Sequence, residues 1–281
     1  MAPWPVEQAM QEAPVCVTCG TQYPPASAPA TCPVCTDERQ YIPPEGQRWT
    51  CLAAMQGQYQ NRFTTLATQI TEIMTEPAFG IGQRAFLIET EHGNVLWDLV
   101  AFIDEATIAT IHARGGVRAI AISHPHYYTT MATWAAALEA PIVLAAADRA
   151  WVQYPSPWLQ FFDETATLLP GLTVIRCGGH FPGASVLHWA DGADGEGVLF
   201  SGDTLQVGAD RCSVSVLYSY PNSIPVDPVT IGAIAARLEP YSFAQVYGAF
   251  GRHIVRDAKA AVLRSLARYI QHITDPTTNA R

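Results

Sequence analysis

The sequence predicts an α/β fold that follows a small cysteine-rich module. Three observations lead to this prediction. Apolar strand patterns alternate with helical ones from residue 70 onward, polar side chains follow several of these strands directly, and two Cys-x-x-Cys pairs lie within the first 35 residues. In layered α/β folds, loops at the ends of strands converge on one crevice. We therefore expect one binding site at the strand ends and a separate cysteine site.

The cysteine module is predicted at residues 1–48, a proline-rich segment with little periodicity. Four thiolates at this spacing are typical of a tetrahedral metal site of zinc-ribbon type, and so short a segment cannot bury enough surface to fold alone. We predict a structural zinc ion, with disulfides and a redox-active iron centre as alternatives. The pattern Cys-x-x-Cys-Gly-x-x-Tyr followed by Cys-Pro-x-Cys also resembles rubredoxin, and spacing alone does not separate zinc from iron. The four predicted ligands are Cys16, Cys19, Cys32 and Cys35.

A connector is predicted at residues 49–69, helical or irregular as far as residue 63, and an α/β domain at 70–281. Runs that are apolar or alternate in polarity indicate the strands of this domain, and periodic apolar positions indicate its helices. The expected strands are 70–74, 85–89, 94–99, 117–122, 141–145, 173–176, 185–189, 197–200 and 245–250. The expected helices are 104–114, 129–138, 228–237 and 256–273.

Composition favours a small molecule as the main partner. Hydrophobic residues make up 49% of the 281 residues and charged ones 15%, which is typical of a globular chain with a substantial core. A net charge of −9 without a Lys/Arg cluster argues against nucleic acid or an anionic membrane. No apolar run reaches the roughly 18 residues of a membrane span, and no signal-peptide pattern is seen, so we expect a cytoplasmic protein.

Six candidate ligands lie just past the ends of predicted strands. His124 and His126 share a strand-to-helix loop in which Pro125 restricts the backbone, so both imidazoles can be aimed at one point. Singly, each aspartate could be a helix cap and each histidine a loop side chain with ordinary partners. Together they indicate a metal centre. The six are Asp98, His124, His126, His180, Asp203 and His253.

These residues resemble the metallo-β-lactamase superfamily over nearly all of residues 70–281. The landmarks come in the same order: the aspartate at a strand end, His-x-His, Gly-His-x-Pro-Gly at 179–183, Ser-Gly-Asp-Thr at 201–204, and Gly-Arg-His at 251–253. The resemblance implies an αββα sandwich with a metal cleft at its edge. It also implies a hydrolase of the kind that acts on thioesters, lactams, lactones or phosphoesters.

The sequence departs from the family at one place. The family motif His-x-His-x-Asp-His would require Asp at Tyr128 and His at Thr129. The resemblance therefore implies an intact first site formed by His124, His126 and His180, with Asp203 beside it. The second site would keep only Asp203 and His253. We expect one ion, zinc or iron, in the cleft, with Asp98 in a supporting role.

The resulting hypothesis is a mononuclear zinc hydrolase of a small ester-, thioester- or lactone-type substrate. Three neutral imidazoles leave the charge of zinc largely unneutralised, which lowers the pKa of a bound water to about 7. Asp203 would be a fourth ligand or would orient the water, and Tyr128 would donate to a developing oxyanion or fill the vacant second site.

Two alternatives remain at this point: a catalytically degenerate metal-binding or interaction protein, and a mononuclear iron oxygenase-type member using His124, His180 and Asp203. The sequence leaves open the substrate and the oligomeric state, including a homodimer packed through the cysteine module.

Overall fold

The computed structural model describes residues 7–275 and 277. The start of the predicted 1–48 module and the end of the predicted 70–281 domain therefore lie outside the described residues. The chain divides into two compact units, a first unit at Met1–Phe162 and a second unit at Asp163–Arg281. Among the described residues, no helix is both long enough and apolar enough to cross a membrane.

The first unit combines the cysteine module with a large sheet. Its elements are α1 (Gln8–Gln11), β1 (Val15–Cys16), α2 (Pro33–Thr36), β2 (Trp49–Thr50), α3 (Leu52–Met55), β3 (Gln60–Ala67), β4 (Ile70–Glu76), β5 (Arg84–Thr90), β6 (Gly93–Trp97), α4 (Glu105–Ala113), β7 (Ala119–Ala121), α5 (Met131–Leu138), β8 (Ile142–Ala145) and β9 (Leu159–Phe162), with 3₁₀ turns at Pro125–Tyr127 and Ala146–Trp151.

In the described part of the first unit, seven strands form one sheet in chain order, β3 to β9. Neighbours are antiparallel as far as β6 and parallel from β6 to β9, with α4 and α5 as crossover helices. Asp104 caps α4, because its carboxylate accepts from the Thr107 backbone N–H at 2.8 Å. Since β6 and β7 are parallel, the residues that follow them emerge at the same edge of the sheet.

The second unit holds another sheet and two long helices. Its elements are β10 (Thr165–Leu169), β11 (Leu172–Arg176), β12 (Ser185–Trp189), β13 (Val198–Phe200), β14 (Gln206–Val207), β15 (Val214–Ser215), β16 (Leu217–Ser219), β17 (Ile224–Pro225), α6 (Pro228–Leu238), β18 (Gln245–Tyr247), β19 (His253–Ile254) and α7 (Ala258–Thr274). Among residues 163–275 and 277, six strands form a sheet in the order β10-β11-β12-β13-β18-β19.

A buried apolar core joins this second sheet to its helices. Ile231 and Ile234 of α6 and Val262 of α7 lie in one cluster with Val186 and Leu199 of the sheet. The apolar face of each helix is thereby removed from water, which is the main stabilising contribution to such a layer. The core fixes the two loops that matter below, the one between β11 and β12 and the one after β13.

Most predicted elements are confirmed. The segment expected to be helical or irregular as far as residue 63 does contain the helix Leu52–Met55, but the expectation is wrong at residues 49–50 and from residue 60 onward, which are strands. Gln60–Ala67 forms β3, the edge strand of the first sheet, and pairs with β4 from Gln60↔Glu76 to Ala67↔Ile70. Its residues are exposed or half-buried, so the strand lacks the apolar alternation that marks a half-buried strand in a sequence. The β10 strand at 165–169 was not expected either. The proposed boundaries at residues 48 and 69 stay predictions.

Candidate metal centres

The four cysteines of the N-terminal module form one buried cluster. The sulfur atoms of Cys16 and Cys35 are 3.6 Å apart, as are those of Cys19 and Cys32. A disulfide bond would need about 2.0 Å, whereas four sulfurs held about 2.3 Å from one tetrahedral ion lie about 3.8 Å apart. The cluster therefore has the dimensions of a metal site and not of a disulfide pair.

Polar side chains surround these sulfurs. The amide of Gln47 donates to Cys16 Sγ at 3.1 Å, and the Tyr23 hydroxyl lies 3.1 Å from Cys32 Sγ. Burial raises the pKa of Tyr23, so its hydroxyl keeps its proton and can donate to the sulfur. Hydrogen bonds from the neighbouring thiols, Cys19 first, lower the pKa of Cys16. These contacts favour thiolate at Cys16, the form that binds a metal, whereas burial raises the pKa of Cys19.

His124 and His126 lie at the edge of the first sheet, in a segment that we call the histidine loop (residues 123–129). Their rings pack edge to face with centroids 5.1 Å apart, and both are buried. The 3₁₀ turn at Pro125–Tyr127 gives the loop its shape, and the Tyr127 backbone N–H donates to the His124 carbonyl at 3.0 Å. The short turn after β7 brings two imidazoles side by side.

Asp98 orients His124 through Ser123. The Asp98 carboxylate accepts from the Ser123 backbone N–H at 2.7 Å, and the Ser123 hydroxyl lies 2.8 Å from His124 Nδ1. Asp98 itself has φ +59°, a left-handed conformation that aspartate tolerates better than most residues. With Nδ1 engaged, Nε2 is the ring nitrogen of His124 that could bind a metal.

His180 and Asp203 approach each other in the second unit. His180 Nε2 and Asp203 Oδ2 are 4.0 Å apart, and both side chains are almost fully buried. Two ligand atoms about 2.1 Å from one tetrahedral ion lie about 3.4 Å apart, so the 4.0 Å spacing is somewhat wider than that of a filled tetrahedral site. Gly179 lets the chain pass close to α6, since a Cβ there would lie 3.1 Å from Ile234 Cδ1.

The segment around Tyr218 and Tyr220 holds this second pair. His180 Nδ1 lies 2.9 Å from the Tyr218 carbonyl oxygen, which leaves Nε2 as the ring nitrogen that could bind a metal. The Tyr220 hydroxyl donates to the backbone carbonyl of Asp203 at 2.6 Å, and its ring lies edge-on to His180. Burial, followed by the charge of Asp203, raises the pKa of Tyr220, so the hydroxyl remains a donor.

Among the described residues, one ligand atom from each of four side chains lies within 4.8 Å of the others, and all four side chains are buried. Three imidazoles and one carboxylate match the ligand types of zinc and of mononuclear iron. The four residues that could hold a metal ion are His124, His126, His180 and Asp203.

Two other candidates lie outside this group. His253 begins β19, pairs with Tyr247 across the sheet and packs against the Tyr247 ring at 4.8 Å, and its role as a ligand stays a prediction. Tyr128 is buried in the histidine loop, where burial, followed by the charge of Asp148, raises its pKa well above the usual value. The phenol is therefore neutral at physiological pH.

Sequence reasoning missed the residues that orient the ligands. Tyr218 acts through its backbone carbonyl and Tyr220 through a contact 17 residues away. Ser123 contacts the next residue, and Gln83 lies forty residues before the loop it contacts. Of these residues, Ser123 alone could have been found from the sequence, because it directly precedes His124 at the end of a predicted strand. No pattern in the sequence points to the buried carboxylate of Asp148.

Comparison with solved structures identifies the fold. The metallo-β-lactamase DIM-1 matches with a TM-score of 0.55 and 14% identity, over 75% of this chain and 98% of DIM-1. VMB-1 matches with a TM-score of 0.56 and 13% identity, over 76% and 99% of the respective chains. The α/β fold of metallo-β-lactamase type expected from the sequence, with a small four-cysteine module at its N-terminus, is thereby confirmed.

Sequence comparison gives a nearer relative. No protein-family model matches the chain. The uncharacterized protein YmaE of Bacillus subtilis (strain 168) is 45% identical over 261 residues, which cover 92% of this chain and 95% of YmaE. The chain, with a fold of metallo-β-lactamase type, therefore belongs to the same family as Bacillus subtilis YmaE.

Proposed function

We propose that this protein is a metal-dependent hydrolase of a small ester-, thioester- or lactone-type substrate. One ion, zinc in the first instance, would be held by the histidines His124, His126 and His180, which leaves a fourth position for water beside Asp203. The observation that supports this proposal best is the gathering of four buried ligand atoms within 4.8 Å. Hydrogen bonds to the Nδ1 atoms of His124 and His180 add support, because they select Nε2 for coordination.

The residues divide the chemistry between them. A bound zinc ion would supply a Lewis acid and would lower the pKa of a coordinated water to about 7. The three imidazoles bind in the neutral form, and Asp203 can orient a water molecule and accept its proton. Tyr128, whose raised pKa keeps it protonated, is the candidate donor to an oxyanion. Burial of these groups excludes bulk water and so strengthens their electrostatic interactions.

The cysteine cluster would hold a second, structural ion. Its sulfur spacing of 3.6 Å and the polar contacts from Tyr23 and Gln47 support a tetrathiolate zinc or iron site. An absorption spectrum separates the two metals, since a ferric tetrathiolate is coloured and a zinc site is not. We expect a colourless protein.

Metal analysis tests the proposal directly. The wild-type protein is expected to hold two ions per chain, of which His180→Ala loses one and Cys16→Ser the other. His92→Ala is the matched control, because His92 is exposed and lies outside the four-ligand group, and it should keep both ions. A protein that takes up metal only at the cysteines, after reconstitution with zinc or with ferrous iron, would rule out the proposal.

Hydrolysis of chromogenic esters, thioesters and lactones tests the reaction. Asp203→Asn should lower kcat, whereas Asp194→Asn in the exposed turn after β12 should leave it unchanged. A cleft that binds its ion tightly and hydrolyses nothing in this panel would instead favour a metal-binding or interaction role. Oxygen uptake by the ferrous protein would favour the oxygenase alternative.

A further inference from the structure

The cysteine module lies directly against the histidine loop. Gln83, which is almost fully buried, donates from its side-chain amide to the Cys19 carbonyl at 2.7 Å and to the His126 carbonyl at 3.1 Å. One amide group therefore joins a residue of the cysteine cluster to a residue of the histidine group. A shift of either carbonyl would leave a buried polar group without its hydrogen bond, which is unfavourable away from water.

A second contact fixes the far end of the loop. The Gln22 backbone N–H donates to the Thr129 carbonyl at 2.9 Å, and the Gln22 side chain accepts from the Thr133 hydroxyl at 2.8 Å. Gln22 and Thr133 are both buried. The residues that follow Cys19 thus hold the histidine loop at Thr129 and also hold the first turns of α5, which continues from that loop.

Gly20 allows this close approach. It has φ +81°, and a Cβ at this position would lie only 2.8 Å from Ala101 Cβ and 3.5 Å from Thr129 Cγ2. Real Cβ atoms essentially never come as close as 2.8 Å. Thr129, the position at which the family motif would require a histidine, is therefore packed against the cysteine module.

The loop has little regular structure of its own. Its 3₁₀ turn spans only Pro125–Tyr127, and Thr129 has φ +36°, a conformation that a β-branched residue rarely adopts. Such short 3₁₀ turns have poor hydrogen-bond geometry and depend on their surroundings. The position of His126 is therefore determined to a large extent by contacts from outside the loop.

We propose that the cysteine module is a positioning device for the histidine loop, with Gln83 and Gln22 as positioning residues. A filled cysteine site orders the backbone at Cys19, Gln83 transmits that order to His126, and the histidine site binds its ion more tightly. The coupling is reciprocal by linkage, so an ion in the histidine site also raises the affinity of the cysteine site. The proposal rests on the proposed function only for the metal at the histidine site.

A cobalt(II) titration measures the coupling, because thiolate-to-cobalt charge-transfer absorption marks the cysteine site and distinguishes it from the histidine site. Gln83→Met removes the amide and leaves every ligand in place, and Gln58→Met, at an exposed residue outside the module, is its matched control. We expect Gln83→Met to bind cobalt at the histidine site about ten- to a hundredfold more weakly, the usual effect of losing such a supporting contact. The absorption of the cysteine site should be kept. Equal affinities in the two variants would overturn the proposal.

Hydrogen exchange tests the positioning without any metal at the histidine site. In a His180→Ala background with zinc supplied, Gln83→Met should speed exchange of the Tyr127 and Tyr128 amides, which donate within the loop at 3.0 and 3.2 Å. Exchange in α7 should not change. Unaltered loop exchange would overturn the positioning role even if the hydrolase proposal stands, and faster exchange throughout the chain would overturn it as well.

Discussion

The hydroxyl of Tyr220 donates a hydrogen bond of 2.6 Å to the backbone carbonyl oxygen of Asp203. The same ring lies edge-on to His180 with centroids 5.3 Å apart. One side chain from the segment between β16 and β17 therefore contacts both candidate ligands of the second unit, His180 and Asp203. A sequence motif shows the two ligands and gives no sign of the phenol between them.

Tyr220→Phe should weaken metal binding while leaving all four ligands in place. The Asp203 carbonyl loses its donor, which should lower the free energy of unfolding by about 1–3 kcal/mol. Metal affinity should fall about tenfold or more, as for other lost supporting contacts. Competition with a chelator and urea denaturation measure the two effects, and Tyr241→Phe, at a residue that packs on the core of the second unit, is the control. Equal affinities in the two variants would contradict the role of Tyr220.

Ser123→Ala should free the imidazole of His124 to change tautomer. The hydroxyl that lies 2.8 Å from Nδ1 is lost, so Nε2 is no longer selected for coordination. We expect a tenfold or greater loss of metal affinity and altered nitrogen chemical shifts for His124 in NMR spectra. Ser156→Ala in the loop before β9 should change neither. Retention of the wild-type tautomer would show that Ser123 is dispensable.

Gly20→Ala should destabilise the protein more than Gly57→Ala. Both glycines have positive φ, +81° and +73°, so both variants pay about 1–2 kcal/mol for a left-handed alanine. Only Gly20 also has a close neighbour, Ala101 Cβ at 2.8 Å, whereas nothing lies within 4 Å of a Cβ at Gly57. Thermal unfolding of the two variants separates the steric cost from the backbone cost. Equal losses would mean that the module is not packed tightly here.

Removal of metal should change which thiols react. In the loaded protein, iodoacetamide should modify exposed Cys212 first and half-buried Cys51 next, because the cluster cysteines and Cys177 are buried. A strong chelator should expose four further thiols, those of the cluster, as counted by mass spectrometry. Cys177 should react only on unfolding. Protection of the cluster after complete metal removal would contradict a metal-dependent module.

Cys177 should make stability fall at high pH. Burial raises the pKa of this thiol from 9.0 to about 12, so the folded state holds its proton at pH values where the unfolded state has lost it. A raised folded pKa means that stability is complete below about pH 9 and is lost as the pH rises toward 12. Wild type should therefore lose stability relative to Cys177→Ala across this interval. Parallel curves for the two proteins would show that the thiol does not titrate in it.

The elements predicted best from the sequence are those whose apolar residues follow a regular pattern of burial. β12 is buried at every position and was predicted as a strand with the same limits, and α6 was expected within one residue of its end. The loops that carry the candidate ligands were also predictable, because each follows a strand that the sequence marks by a run of apolar residues. Ligand types and chain order therefore pointed to four residues that could hold a metal ion.

Elements whose partners are distant in sequence could not be predicted. β3 is an edge strand with mostly half-buried or exposed residues, and the paired strands between 206 and 225 are two or three residues long. The contacts of Gln83 with residues 64 and 43 positions away depend on the tertiary fold alone. No local sequence pattern shows that the Gln83 side-chain amide donates to the carbonyls of both Cys19 and His126.

The strand order of the first sheet also affects how the chain can fold during synthesis. Its described strands, β3 to β9, are laid side by side in the order of translation, so each new strand can pair with the one synthesised just before it. Short sequence separations of this kind favour rapid folding. In the second unit, β13 must instead wait for β18, where Val198 pairs with Gln245, so that sheet closes only after α6 has been synthesised. His124 and His126 can thus reach their places in the first unit before the sheet that holds His180 and Asp203 is complete.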